Sequence, residues 1–245
     1  MKEKLLFENQ ALLNEAAVDI ITASAREAVD EKGFFTMALS GGSSPLSVYD
    51  RLALPVNTVK FPWNRAFVFW SDERFVPPSG HLSNFYNSYA FLLSRVPLNP
   101  RNVFRVPVEA RSPKRAAVLY ERLLRKFFAA SGGIDMAKGM PVFDLILLGA
   151  GPDGHVASLF PSKTKATETD RINRWVVNTR SPEGNKVKDR ITFTFPVINS
   201  AKQVLVIAPG KNKKEVADKA VKESGNPEFP VTMVDAGRTI ILASS

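Results

Sequence analysis

The 245-residue chain contains no cysteine and only two histidines, His81 and His155. The first absence excludes a disulfide framework, a thiolate nucleophile and a cysteine-ligated metal site. The scarcity of histidine, with no His-x-x-x-His pair, argues against a zinc centre. No Gly-x-Ser-x-Gly turn is present, so a serine hydrolase built on a nucleophile elbow is not expected. No Gly-Lys-Ser/Thr follows the glycine-rich segments, which removes a Walker A loop. No apolar run approaches the ~18 residues of a membrane span. The N-terminus MKEKLLFENQ carries charges where a signal peptide needs a long apolar stretch. With 44% hydrophobic and 23% charged residues, the composition is that of an ordinary globular protein. These absences predict a cytoplasmic protein with no membrane partner.

Positive charge is in excess: 33 lysines and arginines stand against 24 aspartates and glutamates, a formal +9. Much of it lies in the last third, in Lys163, Lys165, Arg171, Arg174, Arg180, Lys186, Lys188 and Arg190, then Lys202, Lys211, Lys213, Lys214, Lys219 and Lys222. Solvated surface is one reading, and a field attracting a small anionic substrate is another. Nucleic-acid binding is not expected, since neither interleaved exposed aromatics nor a known reading module is visible.

Periodicity gives the elements. Residues 10–32 carry apolar side chains at 12, 13, 16, 17, 20 and 21, which is helical spacing, and Gly33 is a natural stop. Segment 112–130 predicts an amphipathic helix, capped by Ser112, opened by Pro113 and ended by Gly132–Gly133. Further helices are expected from Pro45 with Ser44 as cap, over 83–96, and over 211–223. Buried strands are expected at FFTMAL (34–39), AFVFW (66–70), FDLILL (143–148), RWVVNT (174–179), RITFTF (190–195), QVLVIA (203–208) and TIILAS (239–244). Alternating strands and helices, with near-continuous apolar strands, predict an α/β fold in three layers: a mostly parallel, Rossmann-like sheet with helices on both faces. One domain over residues 1–245 is expected, since no repeat or linker interrupts the pattern.

In such sheets ligands sit outside the carboxyl ends of the strands, and every conspicuous polar cluster follows a strand. SGGSSP places Ser40, Gly41, Gly42 and Ser43 before a helix, where backbone N–H groups either bind an anion or simply turn the chain. WSDER brings out Asp72, Glu73 and Arg74, either as a solvated loop or with Arg74 forming a fork to phosphate. In GAGPDGH, the spacing Gly149-x-Gly151-x-x-Gly154 fits a dinucleotide fingerprint. However, HVASLFP is cut by Pro161 after about two turns, and RWVVNT ends without an acid to hold a ribose. The glycines are better read as a turn aiming Asp153 and His155 over the sheet edge. A reachable histidine, with an ordinary pKa of ~6.5, suits a general base; His81 has no comparable framing. APGKNKK puts Lys211, Lys213 and Lys214 at another strand-to-helix junction. Either Glu73 or Asp153 could hold His155 in its working tautomer.

Six segments in order, LSGGSSP (39–45), WSDERFVP (70–77), SNFYNS (83–88), FDLILLGAGPDGHVASLFP (143–161), RITFTFPVIN (190–199) and APGKNKK (208–214), resemble the 6-phosphogluconolactonase family of the glucosamine-6-phosphate isomerase/deaminase-like fold. The resemblance runs through most of the chain. It implies hydrolysis of a phosphorylated sugar lactone, no metal or organic cofactor, and a monomer or weak dimer. It makes His155 the base that activates water. Arg74 and Lys213 become phosphate contacts, with residues 40–44 and Arg190 beside them and Asp72, Gly151, Asp153 and Gly154 completing the substrate site. The deaminase/isomerase branch is the alternative, although its histidine motif usually continues into Asn-Glu-Pro where this chain has ASLFP.

Overall fold

A computed structural model describes residues 1–135, 138–161 and 174–245. Lys163, Lys165 and Arg171, part of the basic excess, lie outside these residues. Among the described residues, eleven strands fall in three sheets. The large sheet has six strands in the order β1-β11-β10-β7-β2-β3: β1 Lys2–Phe7, β2 Phe35–Leu39, β3 Ala66–Trp70, β7 Leu145–Gly149, β10 Gln203–Ala208 and β11 Arg238–Ser244. Every pairing in it is parallel. β2 and β10 are buried along their whole length, as strands covered on both faces must be. The expected parallel α/β sheet flanked by helices is therefore present.

The helices follow their sequence signals closely. α1 (Gln10–Lys32) starts at Asn9, whose side chain accepts from Leu12 N, and ends at Gly33 with φ 85°. α5 (Pro113–Ala130) is capped by Ser112. α2 (Ser43–Leu52) starts earlier than expected: Gly42, not Ser44, is the cap. α3 is a single turn, Pro55–Thr58. α4 (Asn84–Phe91) is capped by Ser83 and stops short of the expected Val96, passing into a tight turn at Leu93–Arg95. The segment from 211 begins with a tight turn, Lys211–Lys213, before the helix Lys214–Lys222.

Three expectations are corrected. RWVVNT and RITFTF do not join the large sheet. As β8 (Val176–Arg180) and β9 (Asp189–Phe193) they form a separate antiparallel sheet, ordered β4-β9-β8, with β4 (Asp72–Arg74). The polar segment DER, expected as a turn, is thus a strand. Ser71 joins the two sheets: its N–H donates to Leu39 O of β2 (2.8 Å), and its carbonyl accepts from Phe193 N of β9 (2.7 Å). Residues 155–161 form turns rather than a short helix. A two-stranded ribbon, β5 (Ile134–Asp135) with β6 (Met140–Pro141), completes the strands.

The strand order places the site. From β2 the chain steps outward to β3, whereas from β7 it steps the other way to β10 and β11. The loops leaving β2 and β7 therefore diverge and open a crevice between them, where such folds bind ligands. An aromatic cluster anchors the small sheet to α5 and the large sheet. Phe69 stacks on Phe104 at 4.9 Å, Phe143 packs edge-on to Phe69 at 5.3 Å, and Tyr120 stacks on Phe193 at 6.0 Å.

Candidate active site

The first wall of the crevice follows β2. Tyr49 holds Ser40 in place: its hydroxyl accepts from Ser40 N (2.9 Å) and donates to Ser40 O (2.8 Å). Ser40 Oγ also lies 2.7 Å from Ser71 Oγ. Gly42, with φ 92° and ψ 159°, then turns the chain into α2, a conformation that excludes a side chain at little cost only in glycine. After β10, Gly210 repeats that backbone with φ 86° and ψ 158° and opens the turn that carries Lys213. The two loops meet where Lys213 Nζ donates to Ser44 Oγ (2.9 Å). Burial holds the Lys213 ammonium below the ordinary lysine range. No carboxylate pairs with it among the described residues.

The second wall follows β7. Gly151 N donates to His155 O (2.9 Å) and Gly154 N to Gly151 O (3.0 Å), which closes a tight turn. A Cβ at Gly151 would lie 2.1 Å from His155 Nδ1, so glycine is what lets the ring fold back over the turn. Asp153 Oδ1 stands 2.6 Å from His155 Nδ1 and accepts from His155 N at 3.2 Å. That bond to His155 holds the Asp153 carboxyl below its usual range. With the Nδ1 proton directed at the carboxylate, Nε2 is left as the basic nitrogen. Phe160 packs against the ring at 5.1 Å.

Beyond His155 the loop is tied to the small sheet by side chains. Ser158 Oγ donates to Asp72 Oδ2 (2.7 Å), Ser158 N to Thr192 Oγ1 (3.2 Å), and Thr179 Oγ1 to Ser158 O (2.9 Å). Ala157 between them has φ 49°. These bonds replace the ladder of a helix and explain why HVASLFP forms none.

The small sheet supplies the third wall. Antiparallel register sets Arg74 directly opposite Arg190. Like charges so placed repel, and Arg190 is 8% exposed. Its Nε has no hydrogen-bond partner among the described residues. Burial and the neighbouring Arg74 charge both lower the Arg190 pKa. Arg74 Nη1 donates to Leu82 O at 2.9 Å. Two planar forks with unspent donors suit an anion. Glu73 does not reach His155. Its carboxylate instead accepts from Arg74 N, Asn84 N and Phe85 N (2.6–2.8 Å) and from Ser83 Oγ (3.0 Å), stapling β4 to the start of α4.

Residues 8–242 match the family described as glucosamine-6-phosphate isomerases/6-phosphogluconolactonase. The chain belongs to that family. It is 36% identical over 206 residues to a 6-phosphogluconolactonase of Nostoc sp., covering 84% of this chain and 79% of that one. It is 41% identical over 198 residues to the chloroplastic 6-phosphogluconolactonase 3 of Arabidopsis thaliana, covering 80% of this chain and 59% of that longer protein. The crystal structure of 6-phosphogluconolactonase from Thermotoga maritima superposes over the full length of both chains with a TM-score of 0.81 at 31% identity.

The family's ordered segments converge on one cavity of about 260 Å³. Of the residues singled out from sequence, Ser40, Gly41, Gly42, Ser43, Asp72, Arg74, Gly151, His155, Arg190 and Lys213 line it. Asp153 and Gly154 sit in the turn behind His155. His81 is exposed in its loop and is not among the lining residues. Asn84, Ser158, Phe160 and Asn185 also line the cavity and were not singled out. Asn84 stands in the SNFYNS segment, which the sequence marks only as the start of a helix. Ser158 gave no signal, because its partners come from distant strands. No metal-binding cluster of acidic or histidine side chains occurs among the described residues. The arrangement offers one oriented base, three cations and a set of glycine-rich backbone turns facing one cavity.

Proposed function

We propose that the chain, as one domain over residues 1–245, hydrolyses 6-phospho-D-glucono-1,5-lactone to 6-phospho-D-gluconate, with His155 as the general base. This is the second step of the oxidative pentose phosphate pathway. The observation that carries the reading is the meeting of the His155–Asp153 pair with Arg74, Arg190 and Lys213 around one cavity. A lactone carbonyl is already electrophilic, so no covalent nucleophile is needed. His155 Nε2 takes a proton from water as the water oxygen bonds to C1. The carbonyl oxygen becomes an oxyanion, then the bond from C1 to the ring oxygen breaks, and the ring oxygen takes the proton back from His155. Asp153 steadies the imidazolium in between. The phosphate, far from the reacting carbon, meets the three cations and orients the ring.

Deamination or isomerisation, the other chemistry in the family's description, needs a base for a carbon-bound proton. Asp72 is the carboxylate that lines the cavity, and it already accepts from Ser158 Oγ and Asn84 Nδ2, which speaks against that reading.

The test generates the lactone in place with glucose-6-phosphate dehydrogenase and follows its loss above the spontaneous rate. Wild type is expected to accelerate the loss and His155→Ala is not. Near-normal turnover by His155→Ala would remove the general base. No acceleration by wild type would remove the substrate.

A further inference from the structure

Ser158 is buried, lines the cavity and follows His155 by three residues. It is bonded to all three strands of the small sheet. Its Oγ donates to Asp72 of β4 (2.7 Å), its N–H donates to Thr192 of β9 (3.2 Å), and its carbonyl accepts from Thr179 of β8 (2.9 Å). The Thr192 hydroxyl spends its own proton on Phe193 O (3.1 Å), so its oxygen is left to accept. The three anchors are not scattered. Asp72 stands directly opposite Thr192, Arg74 directly opposite Arg190, and Arg190 directly opposite Thr179. Residues two apart on a strand share a face, as do direct cross-strand partners. Ser158 therefore hangs from the same face of β4-β9-β8 that carries the guanidinium pair.

The link back to His155 is equally constrained. Val156 is buried, with bridges to Ala150 and to Leu159. Ala157 has φ 49°, the one positive value among the described non-glycine residues. Such a conformation persists only where its surroundings over-determine it, and here it is pinned by Val156 on one side and Ser158 on the other. So short a link carries the position of Ser158 to His155.

We infer that Ser158 is a positioning residue: by hanging the histidine loop on the face that carries Arg74 and Arg190, it sets the span between the base and the anion clamp. This rests on the phosphogluconolactone reading above. The phosphate on the clamp and the carbonyl carbon attacked at His155 belong to one cyclic substrate, so only a narrow range of spans serves both. A displacement of about 1 Å can cost about 100-fold in rate. The Ser158 hydroxyl proton is itself spent on Asp72, so its role is to place the base, not to meet the substrate. Its loss leaves anion binding intact and slows the chemical step.

The experiment measures kcat on the dehydrogenase-generated lactone and the affinity for 6-phosphogluconate by calorimetry, both per folded molecule. It compares wild type with Ser158→Ala, Thr179→Val and Thr179→Ser. Ser158→Ala is expected to lower kcat about tenfold or more, while 6-phosphogluconate affinity stays within about twofold. Thr179 lies outside the lining residues. Thr179→Val removes one anchor and is expected to follow the same pattern more weakly. Thr179→Ser keeps the hydroxyl and is expected to return kcat to near the wild-type value. Unchanged kcat in both Ser158→Ala and Thr179→Val would make Ser158 a structural residue only. Parallel loss of kcat and 6-phosphogluconate affinity would place its effect on the clamp instead of the span. A Thr179→Ser variant as slow as Thr179→Val would show that the hydroxyl anchor is not the cause. Where Ser158→Ala fails to fold, the Thr179 pair decides alone. No acceleration by wild type would overturn the substrate reading itself, and with it this one.

Discussion

The imidazole of His155 is held by one carboxylate neighbour. Asp153, two residues earlier, reaches both the ring Nδ1 and the backbone N–H of the same residue. One oxygen, Oδ1, makes both contacts and favours the tautomer with its proton on Nδ1, and Gly154 within the turn has a positive φ (79°). In the proposed mechanism, Asp153→Asn keeps the shape and gives up the negative charge that would steady an imidazolium. Removing a general base costs about 10²–10⁴-fold, and disordering one costs less. Asp153→Asn is therefore expected to lower kcat roughly tenfold or more with KM nearly unchanged. Steady-state kinetics with the dehydrogenase-generated lactone would read the split. A variant with unchanged kcat would show that ring orientation comes from the Phe160 contact instead. Gly151→Ala tests the same geometry from the other side, since its methyl would occupy the place of the ring.

At the scale of elements, β4 and α4 form one unit held by a buried carboxylate. Glu73 is 2% exposed and satisfies three backbone N–H groups and one hydroxyl. Glu73→Ala would strand those donors at roughly 1–3 kcal/mol each, so a loss of about 3 kcal/mol or more is expected in urea unfolding. Burial nonetheless pushes the Glu73 carboxyl up to about 6 from 4.5, against the hydrogen bonds that pull it down. An acid with a raised folded pKa binds its proton more tightly in the folded state. Its contribution is complete below about pH 4.5 and lost as pH rises through about 6, by roughly 2 kcal/mol. Wild type is therefore expected to lose about that much stability relative to Glu73→Gln between about pH 3.5 and about pH 7. A pH-independent difference would mean the hydrogen bonds fully offset burial. The same unit shows where sequence reading stops. FTMAL, AFVFW, LILL and QVLVIA announce themselves, because strands buried on both faces are apolar throughout. DER is polar, and it is a strand only because β9, from far along the chain, pairs with it. β1 (KEKLLF) is an edge strand with a half-exposed, mixed pattern that gives little signal. Site residues were legible as residue types at strand ends. Their pairings, Arg74 with Arg190 and Ser158 with Asp72, exist only once the small sheet has assembled.

For the whole molecule, the two sheets divide the work. The parallel sheet supplies the glycine-rich turns and His155 at its switch point, and the antiparallel sheet brings the guanidinium pair against them. Five cations gather in the same region. Arg74, Arg190 and Lys213 line the cavity, and Lys211 and Lys214 stand exposed beside Lys213. Clefts of one sign raise the local concentration of an oppositely charged ligand and lose that advantage as salt shortens the Debye length from ~30 Å at ~0.01 M to ~8 Å at ~0.15 M. For a phosphorylated substrate, kcat/KM is expected to fall severalfold over that range while kcat, set by chemistry inside the cavity, changes little. Lys211→Glu combined with Lys214→Glu should lower kcat/KM at low salt and flatten the slope, since both side chains lie outside the lining residues. A flat salt profile in wild type would mean that the exposed lysines serve solubility alone, and that capture of the anion begins only at Arg74, Arg190 and Lys213.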